Sequence, residues 1–253
     1  MNDINVPKQR WSAGQVAYGA WSSTGSPFIA ELLARQGFDF IGLDAQHGPF
    51  SFDAILHSLM AVSGTGCSPI VRMPSSDPHA AAKVLDAGAH GIIFPMIETA
   101  EDAAAAVAAC RIHPGGNRSF GPMRAAYSFG RNPVDVSKGA ACIVMIETAR
   151  GADNVEKIAA VDGIDCLYTG PGDLAITYGL PPGLDSIPGE HADAIEYIRR
   201  TALAHELPVG IPCADAAAAL RLAGDGYSFI PVGADTWWLN AQAGATVTQL
   251  GLR

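Results

Sequence analysis

Little of this chain is charged. Asp, Glu, Lys and Arg make up 16% of its 253 residues, against roughly 25% in soluble domains generally. The 25 acids outnumber the 16 bases, and the formal net charge is −9. No cluster of Lys and Arg interrupts this balance. Nucleic acid and anionic membrane surfaces are therefore not expected as partners, because both need clustered cations to offset phosphate charge. No apolar run approaches the ~20 residues of a membrane span. Met1 to Ala13 is polar, without an apolar signal core or cleavage site, so a cytoplasmic protein is expected. The five cysteines, Cys67, Cys110, Cys142, Cys166 and Cys213, are scattered and odd in number. They show neither CxxC nor Cys/His zinc spacing, which leaves buried free thiols as the expectation.

Apolar residues, by contrast, make up 49% of the chain, enough for a large core and a subunit interface as well. A length of ~250 residues suits a single (β/α)₈ barrel, and no linker-like shift of composition divides the chain. Residues 1–253 are therefore read as one domain. Eight apolar runs read as strands: Val16–Gly19, Phe38–Leu43, Pro69–Met73, Gly91–Pro95, Cys142–Ile146, Cys166–Thr169, Pro208–Ile211 and Tyr227–Val232. Amphipathic, Ala-rich segments separate them, among them Pro27–Gln36, Phe52–Val62, Pro78–Ala87, Glu101–Cys110 and Asp193–His205. Strands alternating with helices predict a parallel sheet with helical crossovers, and eight is the barrel number. Two stretches exceed ordinary connection length, His113 to Lys138 and Gly179 to Gly189. The first is expected over the active-site mouth or at a subunit contact, with Arg118 and Arg124 solvated rather than bound to substrate.

In such a barrel the C-terminal strand ends carry the active site. Two carboxylates, Glu147 and Asp173, each follow an apolar strand and precede a helix. Hard oxygen ligands in that setting, with room left for water and substrate, suit Mg²⁺ or Mn²⁺. The second strand ends Gly42-Leu43-Asp44-Ala45-Gln46-His47-Gly48-Pro49. A histidine three residues after an aspartate can donate one ring N–H to the carboxylate and keep the other nitrogen basic, as a general base requires. Arg72 closes the third strand, where a guanidinium can grip a carboxylate or stabilise an oxyanion, and where an ion pair with Asp44 or Glu147 is the structural alternative. In Gly170-Pro171-Gly172-Asp173-Leu174 the glycines permit close approach of a ligand, and the helix N-terminus offers N–H groups to an anion. Asp86 sits near a helix C-terminus, where the dipole disfavours it. Its placement suggests a partner, His47 or a neighbouring subunit, unless it is a solvated surface acid.

Taken in order, these motifs, together with Asp86-Ala87-Gly88-Ala89-His90-Gly91 and Pro114-Gly115-Gly116-Asn117-Arg118, resemble the HpcH/HpaI aldolases, the metal-dependent class II pyruvate aldolases. The resemblance spans nearly the whole chain. It implies a (β/α)₈ barrel assembled as a homohexamer, a dimer of trimers, with a divalent metal (Mg²⁺, Mn²⁺ or Co²⁺) on Glu147 and Asp173. It further implies pyruvate and aldehydes as the small-molecule partners, with the pyruvate carboxylate held by the backbone of Gly172 and Asp173. His47 matches the family's base, Asp44 and Asp86 the acids that orient it or raise its basicity, Arg72 the residue that stabilises the enolate, and Trp21 a pocket aromatic. Met145 departs from the pattern, because many relatives carry glutamine two residues before the metal glutamate. Altered affinity or specificity is expected there.

The implied reaction is reversible cleavage of a 4-hydroxy-2-oxo acid to pyruvate and an aldehyde. No strand contains a lysine, which agrees with metal rather than Schiff-base chemistry. A citryl- or malyl-type lyase and an oxaloacetate decarboxylase are the enzyme alternatives, although no basic cluster is present to receive the coenzyme A phosphates. A non-catalytic metabolite-binding barrel would be expected to have lost at least one of His47, Arg72, Glu147 and Asp173. The run Trp237-Trp238-Leu239 is read as packing, with the aldehyde pocket or an interface as alternatives.

Overall fold

The computed structural model describes residues 5–252. Eight strands, β1 (Ala17–Ser22), β2 (Phe40–Asp44), β3 (Ser68–Arg72), β4 (Gly91–Phe94), β5 (Ala141–Ile146), β6 (Cys166–Thr169), β7 (Val209–Gly210) and β8 (Phe229–Ala234), close into a parallel barrel in chain order. The chain is thus a (β/α)₈ barrel. Alternation along each strand divides the apolar residues into two layers. The barrel interior holds Ala17, Phe40, Ile70, Ile93, Ile143, Met145, Tyr168 and Phe229, with Phe40 and Phe229 stacked 4.2 Å apart. The outward side chains, such as Ile41, Ile92, Val144 and Leu167, pack beneath the helices. Both faces of β5 are buried along its whole length, which is why its sequence reads as an unbroken apolar run.

The register brings chemistry together at the C-terminal rim. Trp21 on β1 lies beside Gly42 on β2, and Asp44 at the end of β2 pairs in register with Arg72 at the end of β3. A Cβ at position 42 would collide with the Trp21 ring, so glycine is what lets that ring lie against the sheet. β1 runs three residues beyond its expected end and includes Trp21.

The opposite end of the barrel is closed by two segments that were not anticipated as structured. A helix at Val6–Ser12 is capped by the Asn5 side chain. Its Trp11 packs edge-on against Phe229 at 5.8 Å and donates its indole N–H to the Ser228 carbonyl. The long stretch after the helix Ala100–Cys110 contains two short helices, Ala125–Phe129 and Pro133–Gly139. Because it runs from a helix to a strand, it lies at the N-terminal face, away from the active-site mouth, which was one of its two expected places beside a subunit contact. His90, at the foot of β4, makes 3.0 Å contacts with both Ser68 and Ser128 and fixes it there. Arg118 in this stretch is buried rather than solvated. No helix among the described residues is long and apolar enough to cross a membrane, and all five cysteines are free and buried.

Candidate active site

Trp21, Asp44, His47, Arg72, Glu147, Gly172 and Asp173 line one cavity of about 240 Å³ at the C-terminal mouth of the barrel, together with Met145 and Tyr168. Asp44 is the hub of one side. It binds Arg72 in bidentate fashion, Nε to Oδ1 at 2.9 Å and Nη2 to Oδ2 at 2.6 Å. It also accepts the Trp21 indole N–H at 3.2 Å and the backbone N–H groups of Gln46 and His47. Burial pushes the Asp44 carboxyl upward, but the Arg72 bonds and charge, with the Trp21 and His47 N–H groups, outweigh burial and hold it below the usual carboxylate range. The Arg72 guanidinium also lies 5.2 Å from the centre of the Trp21 ring, which in turn stacks on Tyr168 at 6.4 Å. Two neighbours, Asp44 and Trp21, therefore fix this arginine in place, and its Nη1 makes no hydrogen bond among the described residues.

The relation expected between Asp44 and His47 takes a different form. Asp44 accepts the backbone N–H of His47, not a ring N–H, because both carboxylate oxygens are committed to Arg72 and the turn. The aspartate thereby shapes the turn that carries His47, and the imidazole remains exposed at the cavity mouth.

Glu147 dominates the other side. Its side chain is fully buried, yet only one carboxylate oxygen is satisfied: Oε1 accepts the Met96 N–H at 2.8 Å, whereas Oε2 is buried with no hydrogen-bond partner. Met96 delivers that N–H from a left-handed backbone conformation with φ of 56°, a strain that recurs at functional sites. Burial raises the Glu147 carboxyl to about 7; the Met96 N–H opposes the rise, the neighbouring Asp173 charge adds to it and the Arg72 charge opposes it. A Cβ at position 170 would crowd both Glu147 and the Met145 methyl, so Gly170 keeps the floor between the two carboxylates open.

An unsatisfied buried oxygen facing a second carboxylate fits a hard divalent cation. Among the described residues no group of three or more His, Cys, Asp or Glu side chains is placed to hold a metal. An ion held by Glu147 and Asp173 would therefore take its remaining ligands from substrate and water.

Asp173 and Gly172 sit in the first turn of the helix Pro171–Thr177, whose N-cap, Gly170, provides no side-chain cap. The backbone N–H groups of Gly172 and Asp173 thus lack an intrahelical acceptor, and both residues line the cavity. This turn is held from behind by a residue that the sequence reading passed over. His191 is fully buried; its Nδ1 accepts the Ile187 N–H at 3.0 Å, and its Nε2 lies 3.0 Å from the Pro171 carbonyl. Those partners fix the neutral tautomer, with Nε2 donating. His191 ties the 179–189 loop to the turn that carries Asp173. Its position at the start of the helix Glu190–Ala204, just after that loop, was the signal available in the sequence.

Asp86 is not brought to His47 in its own chain. It ends the helix Pro78–Asp86 and therefore lies at the N-terminal face, where it accepts from the buried Arg118 at 2.6 Å. Met145 faces the barrel interior two residues below Glu147 and makes the cavity floor apolar. Of the two tryptophans read as packing, Trp238 stacks on Phe38 at 6.3 Å, whereas Trp237 lines the cavity.

A model of the HpcH/HpaI aldolase/citrate lyase family matches residues 17–240. The chain is 35% identical over 241 residues to the hydroxypyruvate/pyruvate aldolase of Rhizorhabdus wittichii, covering 95% of this chain and 96% of that protein. It is 37% identical over 241 residues to the 5-keto-4-deoxy-D-glucarate aldolase of Salmonella paratyphi A, covering 93% of each. The solved structure of a HpcH/HpaI aldolase/citrate lyase family protein from Burkholderia cenocepacia matches with a TM-score of 0.86 at 33% identity, over 98% of this chain and 99% of that one.

Proposed function

This chain belongs to the HpcH/HpaI aldolase/citrate lyase family and is a carbon–carbon lyase, and we propose that it reversibly cleaves 4-hydroxy-2-oxo acids to pyruvate and an aldehyde. The observation that carries the reading is the buried, unpartnered Oε2 of Glu147, set across the cavity from Arg72 and beside Asp173. Glu147 and Asp173 would hold Mg²⁺, Mn²⁺ or Co²⁺. When bound, such an ion supplies a Lewis acid for the keto oxygen of the substrate.

The chain's own groups then divide the work. The Gly172 and Asp173 N–H groups bind the substrate carboxylate. Arg72, locked by Asp44, presents Nη1 toward the keto oxygen and stabilises the charge that develops there. His47 takes the proton from the 4-hydroxyl, the C3–C4 bond breaks as the C4 carbonyl forms, and the electron pair passes from C3 onto the keto oxygen. Reprotonation of C3 gives the pyruvate methyl group. Trp21 and Tyr168 exclude water behind Arg72.

A cytoplasmic homohexamer, a dimer of trimers, belongs to the same proposal. The helix Asp235–Gln249 supports assembly: Asp235 is its one buried residue, while Leu239 is 66% exposed. If Asp86 serves the base, it does so from a second copy. The test is pyruvate release from a 4-hydroxy-2-oxo acid by chelator-stripped protein, with and without added Mn²⁺, beside His47→Ala. Metal-dependent release that falls at least about 100-fold in the variant is expected. Full release without metal contradicts the reading.

A further inference from the structure

Tyr168 brings more than a ring to the cavity it lines. It is 2% exposed, and on β6 it pairs in register with Met145 on one side and Gly210 on the other. Its ring stacks on Trp21 at 6.4 Å, meets Phe229 edge-on at 5.7 Å, and lies where a Cβ at position 210 would crowd it. Those contacts fix the direction of the hydroxyl, yet the hydroxyl makes no hydrogen bond among the described residues. A buried phenol ordinarily has a partner.

The neighbours explain why the protein supplies none. Both Asp44 oxygens are taken by Arg72, Trp21 and the turn that carries His47. The free Glu147 Oε2 does not meet the phenol, and Arg72 offers only donors. Arg72 Nη1 is itself unpartnered, so two donors without acceptors serve one cavity. Burial pushes the Tyr168 phenol well above its usual range; the Arg72 charge opposes the rise, and Asp44 and Glu147 add to it. The phenol therefore keeps its proton and acts as a donor, not as a base. A second copy at the mouth does not change this, because Tyr168 belongs to the barrel interior and is enclosed by rings of its own chain. The acceptor has to be small enough to enter the cavity.

Resting on the aldolase reading above, we infer that Tyr168 is a catalytic residue whose hydroxyl, with Arg72 Nη1, donates to the keto oxygen of the substrate as that oxygen becomes an enolate. A keto oxygen has two lone pairs and an enolate oxygen three. A further donor therefore gains most as the C3–C4 electron pair arrives, which lowers the barrier without tightening substrate binding. The phenol keeps its proton throughout, and no bond to it forms or breaks.

Tyr168→Phe removes the hydroxyl and keeps the ring. The full-length variant and wild type, saturated with Mn²⁺, are compared in exchange of the pyruvate methyl protons with D₂O by NMR and in calorimetric binding of oxalate, whose planar dianion mimics the enolate. The exchange rate at saturating pyruvate should fall about 100-fold, with KM for pyruvate within about twofold and the oxalate Kd raised at least about tenfold. The urea midpoint should be unchanged or higher, since the hydroxyl bonds nothing in the free fold. A fall in exchange smaller than about tenfold, an unchanged oxalate Kd, a loss that lies in KM, or a lowered urea midpoint overturns the inference and leaves the pyruvate chemistry standing. No exchange by the wild type overturns the aldolase reading itself, and this inference with it.

Discussion

Replacing Glu147 with glutamine should stabilise the metal-free protein at alkaline pH while removing the proposed metal site. In the folded chain burial lifts this carboxyl from 4.5 to about 7. The folded state therefore holds a proton on Glu147 at pH values where the unfolded chain has released it, and stability falls as pH rises between those two values. At about 1.4 kcal/mol per pH unit of displacement, ionised Glu147 costs the metal-free fold roughly 2–3 kcal/mol at pH 8 and little at pH 5. Glutamine keeps an acceptor for the Met96 N–H and carries no charge, so the variant escapes that cost. Urea unfolding in chelator at one fixed protein concentration, followed by tryptophan fluorescence, should show the stability gap between Glu147→Gln and wild type widening by roughly 2 kcal/mol from pH 5 to pH 8. Mn²⁺ at pH 8 should then stabilise the wild type, by about 2.7 kcal/mol at 100 times its Kd, and leave the variant unmoved. A gap that stays constant or narrows with pH would refute the argument that Glu147 is an uncompensated buried acid.

Three further expectations follow from named contacts. Asp44→Asn leaves Arg72 in place without its counter-charge. It should lower stability by about 3–5 kcal/mol and kcat about 100-fold, and because the Asp44 carboxyl is held low in the fold, the stability difference should shrink as pH drops below about 4. His191→Ala releases the turn behind Asp173 without touching substrate. Steady-state kinetics should show a KM for pyruvate raised about tenfold with a smaller change in kcat, and an unchanged KM would contradict the positioning role. Met145→Gln places an amide on the cavity floor beside Glu147, where it can bond the unpartnered Oε2; calorimetric Mn²⁺ affinity in the presence of pyruvate should change by about tenfold, and no change would show that the floor is too distant to matter.

The strands were legible because their two faces are buried by different layers, so that apolar runs such as Cys142–Ile146 stand out without any alternation to interpret. The rim residues were legible for a related reason. In a parallel barrel a polar residue ending an apolar strand has one place to go, and Asp44, Arg72, Glu147 and Asp173 all went there. Connections were read less well. The helices Ala125–Phe129 and Pro133–Gly139 are too short to show a periodic apolar face. The placement of their stretch followed from length, whereas topology decides it: a segment leading from helix to strand returns to the N-terminal face. The same rule moves Asp86 away from His47 and onto Arg118. Asp44 was assigned to the histidine ring from spacing and from the family resemblance; its carboxylate proved to be taken up by Arg72, the ion pair held open as the structural alternative, and by a tryptophan that spacing does not reveal. His191 was passed over because a buried histidine that serves two backbone groups looks, in sequence, much like any histidine in the first turn of a helix; only its place just after the long loop set it apart.

Glu147 and Asp173 are proposed as a divalent-cation site on which turnover depends. The most direct measurement is Mn²⁺ binding to metal-stripped protein in the presence of pyruvate, by electron paramagnetic resonance or calorimetry, for the wild type, Glu147→Gln and Asp173→Asn, with pyruvate release assayed on the same samples. One ion per chain is expected in the wild type, with binding and turnover lost together in both variants. Undiminished Mn²⁺ binding in the variants, or full turnover without bound metal, would contradict it.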